Sequence, residues 1–182
     1  DHIRQGTAAF GAGEFERALS HFEQSVEEDQ TNASLWNSLG QAYRALNRLG
    51  DAVACYNRAA TIDPTLAEPF NNLGALSRLA GELDAAERYY KEALLRRHEY
   101  PEAHYNLALV MEERDDPNSA EHYYRNALFQ RPDYLKALNN LSVLMISNGR
   151  FDEAEAILRE ALGTHASSPE LLTSLGTCLR QK

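Results

Sequence analysis

The sequence predicts an all-α fold, a solenoid in which antiparallel helix hairpins stack on one another. Three observations support this: a repeat period of 34 residues, two helical stripes of apolar residues in each period, and prolines placed where helices begin or end. A fixed period of this length is typical of stacked helical arrays, because each unit buries its apolar face on its neighbours. We therefore expect the 182 residues to form a single array that has no one central core.

The clearest copy of the repeat covers residues 33–66. The apolar residues of its first predicted helix recur at intervals of three and four: Trp36, Leu39, Tyr43 and Leu46. Those of its second helix are Ala52, Val53, Tyr56, Ala59, Ala60 and Ile62. Asn47 to Gly50 is expected to separate the two helices, because Asn and Gly tolerate the left-handed backbone that ends helices. Asp63-Pro64 ends the second helix, since proline disfavours helix at the residue before it.

The other copies follow in phase. They predict hairpins at 1–32, 33–66, 67–100, 101–134 and 135–168, and a single final helix at 169–182. Because the chain lacks an initiator Met and enters the repeat two residues late, we expect it to be a fragment of a longer protein.

Small residues recur after a leucine in each first helix, where they would let helix axes approach to about 8–10 Å. They are Gly40, Gly74, Ala108, Ser142 and Gly176. The large aromatic residues of the second helices are expected to fill the space between hairpins: Tyr56, Tyr90 and Tyr124.

This spacing and these residue types resemble the tetratricopeptide repeat family along the whole chain. The resemblance is most specific in residues 33–66. It is weakest in the first copy and in residues 133–168, where Ala166 replaces the usual proline. The resemblance implies a right-handed superhelix whose first helices line a concave groove. It also implies a function in recognising peptides or extended protein segments, or in assembling complexes.

Nine first-helix residues that packing does not use are the candidates for contacting such a segment. They are Asn37, Arg44, Asn71, Asn72, Arg78, Tyr105, Asn106, Asn139 and Asn140. The inner stripe of the first helices changes along the chain, from Asn37, Gln41 and Arg44 to Asn139, Val143 and Ile146. It is polar and basic toward the N-terminus and more apolar toward the C-terminus, which would suit a ligand with an acidic or polar end and an apolar end.

An asparagine column stands within this set: Asn72, Asn106 and Asn140. It resembles the asparagine ladder of the O-linked N-acetylglucosamine transferase family. Each amide has a donor and an acceptor, so a column of them can grip a peptide backbone at regular steps. The alternative is that these amides only bond neighbouring helices.

No pattern of catalytic residues is present. The six histidines are scattered without metal-ligand spacing, and no Gly-rich phosphate loop occurs, so we predict no catalytic, metal or cofactor site. A net charge of −9 argues against binding to nucleic acid or to an anionic membrane surface. No apolar run is long enough to span a bilayer. Two cysteines far apart in register fit a reducing compartment, so we expect a cytoplasmic protein.

These observations favour a non-catalytic module that binds an extended segment of a partner protein in its groove. One alternative is the substrate-recruiting region of a larger enzyme, such as a glycosyltransferase. Another is self-association through the terminal helices, since the final helix is expected to expose an apolar side: Leu171, Leu172, Leu175 and Leu179.

Overall fold

The computed structural model describes residues 1–182 as eleven α-helices without a strand, which confirms the prediction of an all-α fold of helix hairpins. The chain divides into two compact units, residues 1–98 and residues 99–182. None of the helices is long and apolar enough to cross a membrane. That the whole chain forms one array stays a prediction.

The first unit contains six helices. They are α1 (His2–Gly11), α2 (Phe15–Glu28), α3 (Ala33–Ala45), α4 (Leu49–Ile62), α5 (Ala67–Leu79) and α6 (Leu83–Arg96). Within the unit, α1 packs on α2, α3 on α4 and α5 on α6 as hairpins, while α2 also contacts α3 and α4 also contacts α5. Each hairpin is therefore covered by its neighbour, as the repeat pattern predicts.

The second unit contains five helices. They are α7 (Pro101–Glu113), α8 (Pro117–Gln130), α9 (Leu135–Ser147), α10 (Phe151–Thr164) and α11 (Pro169–Gln181). Two hairpins, α7 with α8 and α9 with α10, are followed by α11, which packs on both α10 and α9. Pro101, Pro117 and Pro169 occupy first helical positions, where a missing backbone N–H removes no helical hydrogen bond.

A left-handed residue ends the first helix of every hairpin. Positive φ angles occur at Gly13, Asn47, Gly81, Asp115 and Gly149, which are spaced 34 residues apart. The expectation that Gly50 belongs to this turn is wrong, because α4 already begins at Leu49 and Gly50 lies in its first turn. A single left-handed residue is enough to reverse the chain.

The buried aromatic residues pack inside their own hairpins as well as against the next one. A Cβ atom added to Gly40 would lie 2.6 Å from Cε1 of Tyr56, and one added to Gly74 would lie 2.7 Å from Cε1 of Tyr90. Tyr56 also packs with Leu73 of the following hairpin. Glycine is therefore favoured at Gly40 and Gly74, because a flat ring lies directly on the backbone there.

Candidate peptide-binding face

The two asparagines Asn37 and Asn72 bond to each other in the first unit. The Asn72 Nδ2 atom donates to the Asn37 Oδ1 atom at 2.9 Å, and both side chains are buried, at 7% and 6% exposure. They belong to successive first helices, α3 and α5. This hydrogen bond therefore ties neighbouring hairpins together, as the structural alternative for the amide column requires.

The second unit repeats the same bond across the same sequence interval. The Ser174 hydroxyl donates to the Asn139 Oδ1 atom at 2.7 Å, and the Asn140 Nδ2 atom lies 3.4 Å from the Tyr105 hydroxyl. Each of these bonds joins residues 35 positions apart, as does the bond between Asn37 and Asn72. The bonds therefore follow the repeat and link consecutive first helices.

These bonds use only half of each amide. At Asn37 and Asn139 the oxygen is bonded and the Nδ2 donor has no protein partner, while at Asn72 and Asn140 the donor is bonded and the oxygen has none. The repeat position of Asn37 and Asn139 thus keeps an unbonded donor. The position one residue later, that of Asn72 and Asn140, keeps an unbonded acceptor. A peptide backbone needs both types of group.

The remaining candidates in the first unit differ in exposure. Arg44 is exposed, whereas Asn71 and Arg78 are half-buried and have partners of their own. Arg44 lies near the Tyr56 ring, whose hydroxyl is buried without a hydrogen-bond partner. Burial raises the pKa of Tyr56 to about 12, and the charge of Arg44 acts in the opposite direction. The phenol is therefore neutral at ordinary pH.

In the second unit, Tyr105 and the half-buried Asn106 are on α7. The Tyr105 ring centroid lies 5.9 Å from that of Tyr124 and 5.2 Å from that of Tyr134. Tyr105 is thus part of a cluster of three tyrosines, which fixes its ring and leaves it half-exposed. A rigid, partly exposed aromatic ring is a favourable anchor for a partner side chain.

Sequence reasoning missed the polar role of Tyr124, which the repeat pattern assigned to packing alone. Its hydroxyl donates to the Glu112 carboxylate, and the Asn140 Nδ2 atom lies 3.2 Å from it. Burial, together with the bond to Glu112, raises the pKa of Tyr124. The available signal was the hydroxyl itself, since a buried phenol O–H usually finds a partner and Glu112 lies in the same hairpin.

Family comparisons agree with this architecture. Residues 3–67 match the model described as "Tetratricopeptide repeat", and residues 70–177 match that of the "Cilia and flagella-associated protein 70 middle TPR-like domain". The chain belongs to the tetratricopeptide repeat family. No curated protein sequence matches it.

Solved tetratricopeptide structures have the same fold. A thermophilic TPR protein of Thermus thermophilus is 23% identical with a TM-score of 0.79, over 98% of this chain and 97% of that one. The pilF protein of Pseudomonas aeruginosa is 17% identical with a TM-score of 0.84, over 99% of this chain and 86% of that one. The MamA protein is 23% identical with a TM-score of 0.70, over 89% and 88%. At these identities the likeness concerns the fold alone.

Tetratricopeptide repeat domains are generally non-catalytic modules that bind other proteins. In this chain no group of three or more His, Cys, Asp or Glu side chains is placed to hold a metal ion. The Cys55 thiol is buried, and burial raises its pKa to about 12, so it is a poor nucleophile.

Proposed function

We propose that the chain is a protein-interaction module that holds an extended segment of a partner protein against its first helices. The observation that carries this proposal is the alternation of unused donors and acceptors. Asn37 and Asn139 each keep a free Nδ2 donor, and Asn72 and Asn140 each keep a free oxygen. In the first unit the two amides are on consecutive first helices, α3 and α5, and in the second unit both are on α9.

A peptide backbone matches this arrangement in spacing and in chemistry. Neighbouring first helices lie about 10 Å apart, and an extended peptide advances about 3.4 Å per residue, so each repeat covers about three peptide residues. Backbone groups could then be met at regular steps without any reading of side chains. The helix-to-helix bonds hold the amides in place, so little side-chain freedom is lost on binding.

Side-chain selection would come from the other members of the set. Arg44 and Arg78 would favour an acidic or polar end of the ligand, and Tyr105 would anchor an apolar side chain near the other end. The proposed contact residues are those named from the sequence: Asn37, Arg44, Asn71, Asn72, Arg78, Tyr105, Asn106, Asn139 and Asn140. Because residues 70–177 match a domain named after a cilia and flagella-associated protein, ciliary proteins are one partner class to include in a screen.

The test removes the free donors without breaking the helix-to-helix bonds. In Asn37→Asp/Asn139→Asp each carboxylate keeps the acceptor oxygen for Asn72 or Ser174 and loses the amide N–H groups. Asn57→Asp/Asn118→Asp adds the same charge at exposed positions on second helices and serves as the matched control.

We expect partners captured from lysate, identified by mass spectrometry, to be lost with the donor variant and kept with the control. A folded donor variant that captures the same partners as the parent would contradict recognition through these amides. Circular dichroism in the far ultraviolet checks that both variants fold.

Self-association is a second candidate, favoured by the surface of α11. Leu172 and Leu179 are 49% and 47% exposed, whereas the expectation that Leu171 is exposed is wrong, because its side chain is fully buried. A Cβ atom added to Gly176 would meet nothing within 4 Å, whereas the corresponding Gly40 and Gly74 are covered by tyrosine rings. Sedimentation velocity across a concentration series tests this candidate: we expect association in the parent and a monomer in Leu172→Lys/Leu179→Lys. A parent that stays monomeric at the highest concentration would exclude it.

A further inference from the structure

An arginine fills the cleft between α4, α5 and α6 in the first unit. The Arg96 guanidinium carbon lies 3.7 Å from the centroid of the Phe70 ring, and its Nε donates to the Pro64 carbonyl at 2.6 Å. Its Nη1 donates to the Glu92 carbonyl at 2.7 Å and to the Glu92 carboxylate at 2.5 Å. These groups form a complete receptor for a guanidinium: a carbonyl at the turn, a carboxylate on the second helix, and an apolar surface beneath.

The turn carbonyl accepts a side-chain donor in the preceding repeat as well. Gln30 stands 34 residues before Pro64, and its carbonyl accepts a hydrogen bond from the Trp36 Nε1 atom at 3.0 Å. The chain thus uses two different side chains for the same purpose in the first unit. A donor at this carbonyl is a recurrent feature of the hairpin junction.

The second unit keeps the proline carbonyl and the glutamate of this receptor and lacks the arginine. Two periods after Pro64, Glu92 and Arg96 come Pro132, Glu160 and Thr164. The Thr164 hydroxyl donates to the Ala161 carbonyl at 3.1 Å, and no hydrogen bond reaches the Pro132 carbonyl. The exposed Glu160 carboxylate has neither a hydrogen bond nor an ion pair. The position that Arg96 fills in the first unit is therefore left open here.

An open cleft of about 570 Å³ lies at this position, entirely within the second unit. Its walls are mostly apolar, and the residues used below are Pro132, Asp133, Leu138, Ile157, Glu160 and His165. Leu138 stands where Phe70 stands in the first unit, so the surface under a bound side chain remains apolar. Two carboxylates, Asp133 and Glu160, give the cleft acidic groups that a cation would meet.

We propose that this cleft binds an arginine side chain of a partner protein. The aliphatic stem lies along Leu138 and Ile157, and the guanidinium donates to the Pro132 carbonyl and the Glu160 carboxylate, as Arg96 does within the chain. The planar guanidinium has five donors and can serve a carbonyl and a carboxylate together, which a lysine ammonium does less well. None of the nine residues proposed for peptide binding lines this cleft, so the site is independent of that proposal.

The site can be tested with a matched pair of tripeptides on the full chain. The probe is acetyl-Ala-Arg-Ala-amide, and the control replaces arginine by citrulline, which has nearly the same shape and no charge. Methyl NMR spectra of the labelled protein report binding through Leu138, Ile157 and Thr164. We expect saturable shifts of these methyl signals with the arginine peptide and clearly smaller shifts with citrulline at the same concentration.

Three variants separate this site from a general attraction of cations. Thr164→Arg should abolish the shifts, because the new side chain would fill the cleft as Arg96 fills its own. Thr61→Arg carries the same charge on another helix end and should bind like the parent. Glu160→Gln should weaken binding about threefold, the size expected for one exposed ion pair.

Three outcomes would overturn the proposal. One is an equal response to the arginine and citrulline peptides. Another is tighter binding of acetyl-Ala-Leu-Ala-amide, which would make the cleft a site for an aliphatic side chain. The third is a folded Thr164→Arg variant that still binds the arginine peptide as the parent does.

Discussion

Alanine substitutions at two equivalent glycines should change stability in opposite directions. Gly40 and Gly176 hold the same place in their repeats, and both lie inside a helix. A Cβ atom on Gly40 would lie 2.6 Å from Cε1 and 2.8 Å from Cδ1 of Tyr56, a fully buried ring. A Cβ atom on Gly176 would meet nothing within 4 Å. Replacing glycine by alanine thus brings the same gain in helix propensity at both sites, but it creates a close contact only at Gly40.

The magnitudes follow from two opposing effects. Alanine is favoured over glycine in a helix interior by about 1 kcal/mol. Overpacking a buried site costs about 1–3 kcal/mol, and contacts about 1 Å shorter than normal require the Tyr56 ring or the backbone to move. Ala108 and Tyr124 coexist fully buried in the next unit, so a hairpin can adjust to this pair. We therefore expect Gly40→Ala to destabilise by about 1 kcal/mol net, and Gly176→Ala to stabilise by up to about 1 kcal/mol.

Urea unfolding followed by circular dichroism measures both changes in stability. Because repeat arrays can unfold in parts, hydrogen exchange of the α3 and α11 amides shows whether each change in stability is located in the repeat that carries the substitution. The double variant Gly40→Ala/Tyr56→Leu should be more stable than the sum of its single changes, because the smaller side chain removes the contact. If Gly40→Ala and Gly176→Ala shift stability in the same direction by similar amounts, the proposed ring-on-glycine contact does not govern stability.

Three further predictions concern single side chains. Tyr56→Phe should leave stability unchanged or raise it in urea unfolding, because its buried hydroxyl has no partner, whereas Tyr124→Phe should lower it by about 1–2 kcal/mol through loss of the bond to Glu112. Asp116 caps α8, and its pKa is lowered chiefly by hydrogen bonding to Ser119. Its carboxylate therefore stabilises the fold above its unfolded pKa of about 4, and this stabilisation is lost as pH falls through the lower folded pKa. In thermal melts from about pH 5 to about pH 2, the melting temperature of Asp116→Asn should fall less than that of the parent. Cys55 should resist iodoacetamide at about pH 8 in the native protein and react after denaturation, as mass spectrometry can show, and equal rates in the two states would contradict its burial.

The helices could be predicted from the sequence because independent signals coincide: apolar spacing and a turn residue in every hairpin, and prolines at some of the helix boundaries. Apolar spacing, a turn residue every 34 positions and proline at helix starts all indicate the same boundaries, and each has its own physical cause. The error at Gly50 is instructive. Glycine is permitted both in a turn and in the first turn of a helix, so its presence does not say which it occupies; the left-handed residue that ends α3 is Asn47.

The candidate face could be predicted only in part, because hydrogen-bond partners depend on how one helix sits against the next. The pattern placed Asn37 and Asn72 on first helices, but nothing in the spacing showed that they would bond to each other at 2.9 Å. The polar role of Tyr124 was missed for the same reason: periodicity records the burial of a ring and says nothing about where its hydroxyl ends. The residue types and the register of one helix can be read from its own sequence. Which polar atoms pair depends on how two helices pack against each other.

The repeat provides an internal comparison that a single domain lacks. Where equivalent positions carry different residues, a contact that is made within one repeat can be missing from another. Arg96 completes a set of contacts that Thr164 leaves unmade. At this place the proline carbonyl and the glutamate recur, as Pro132 and Glu160, with Leu138 in place of Phe70. Incomplete copies are therefore the places where the structure of a repeat protein most directly indicates the chemistry of a partner.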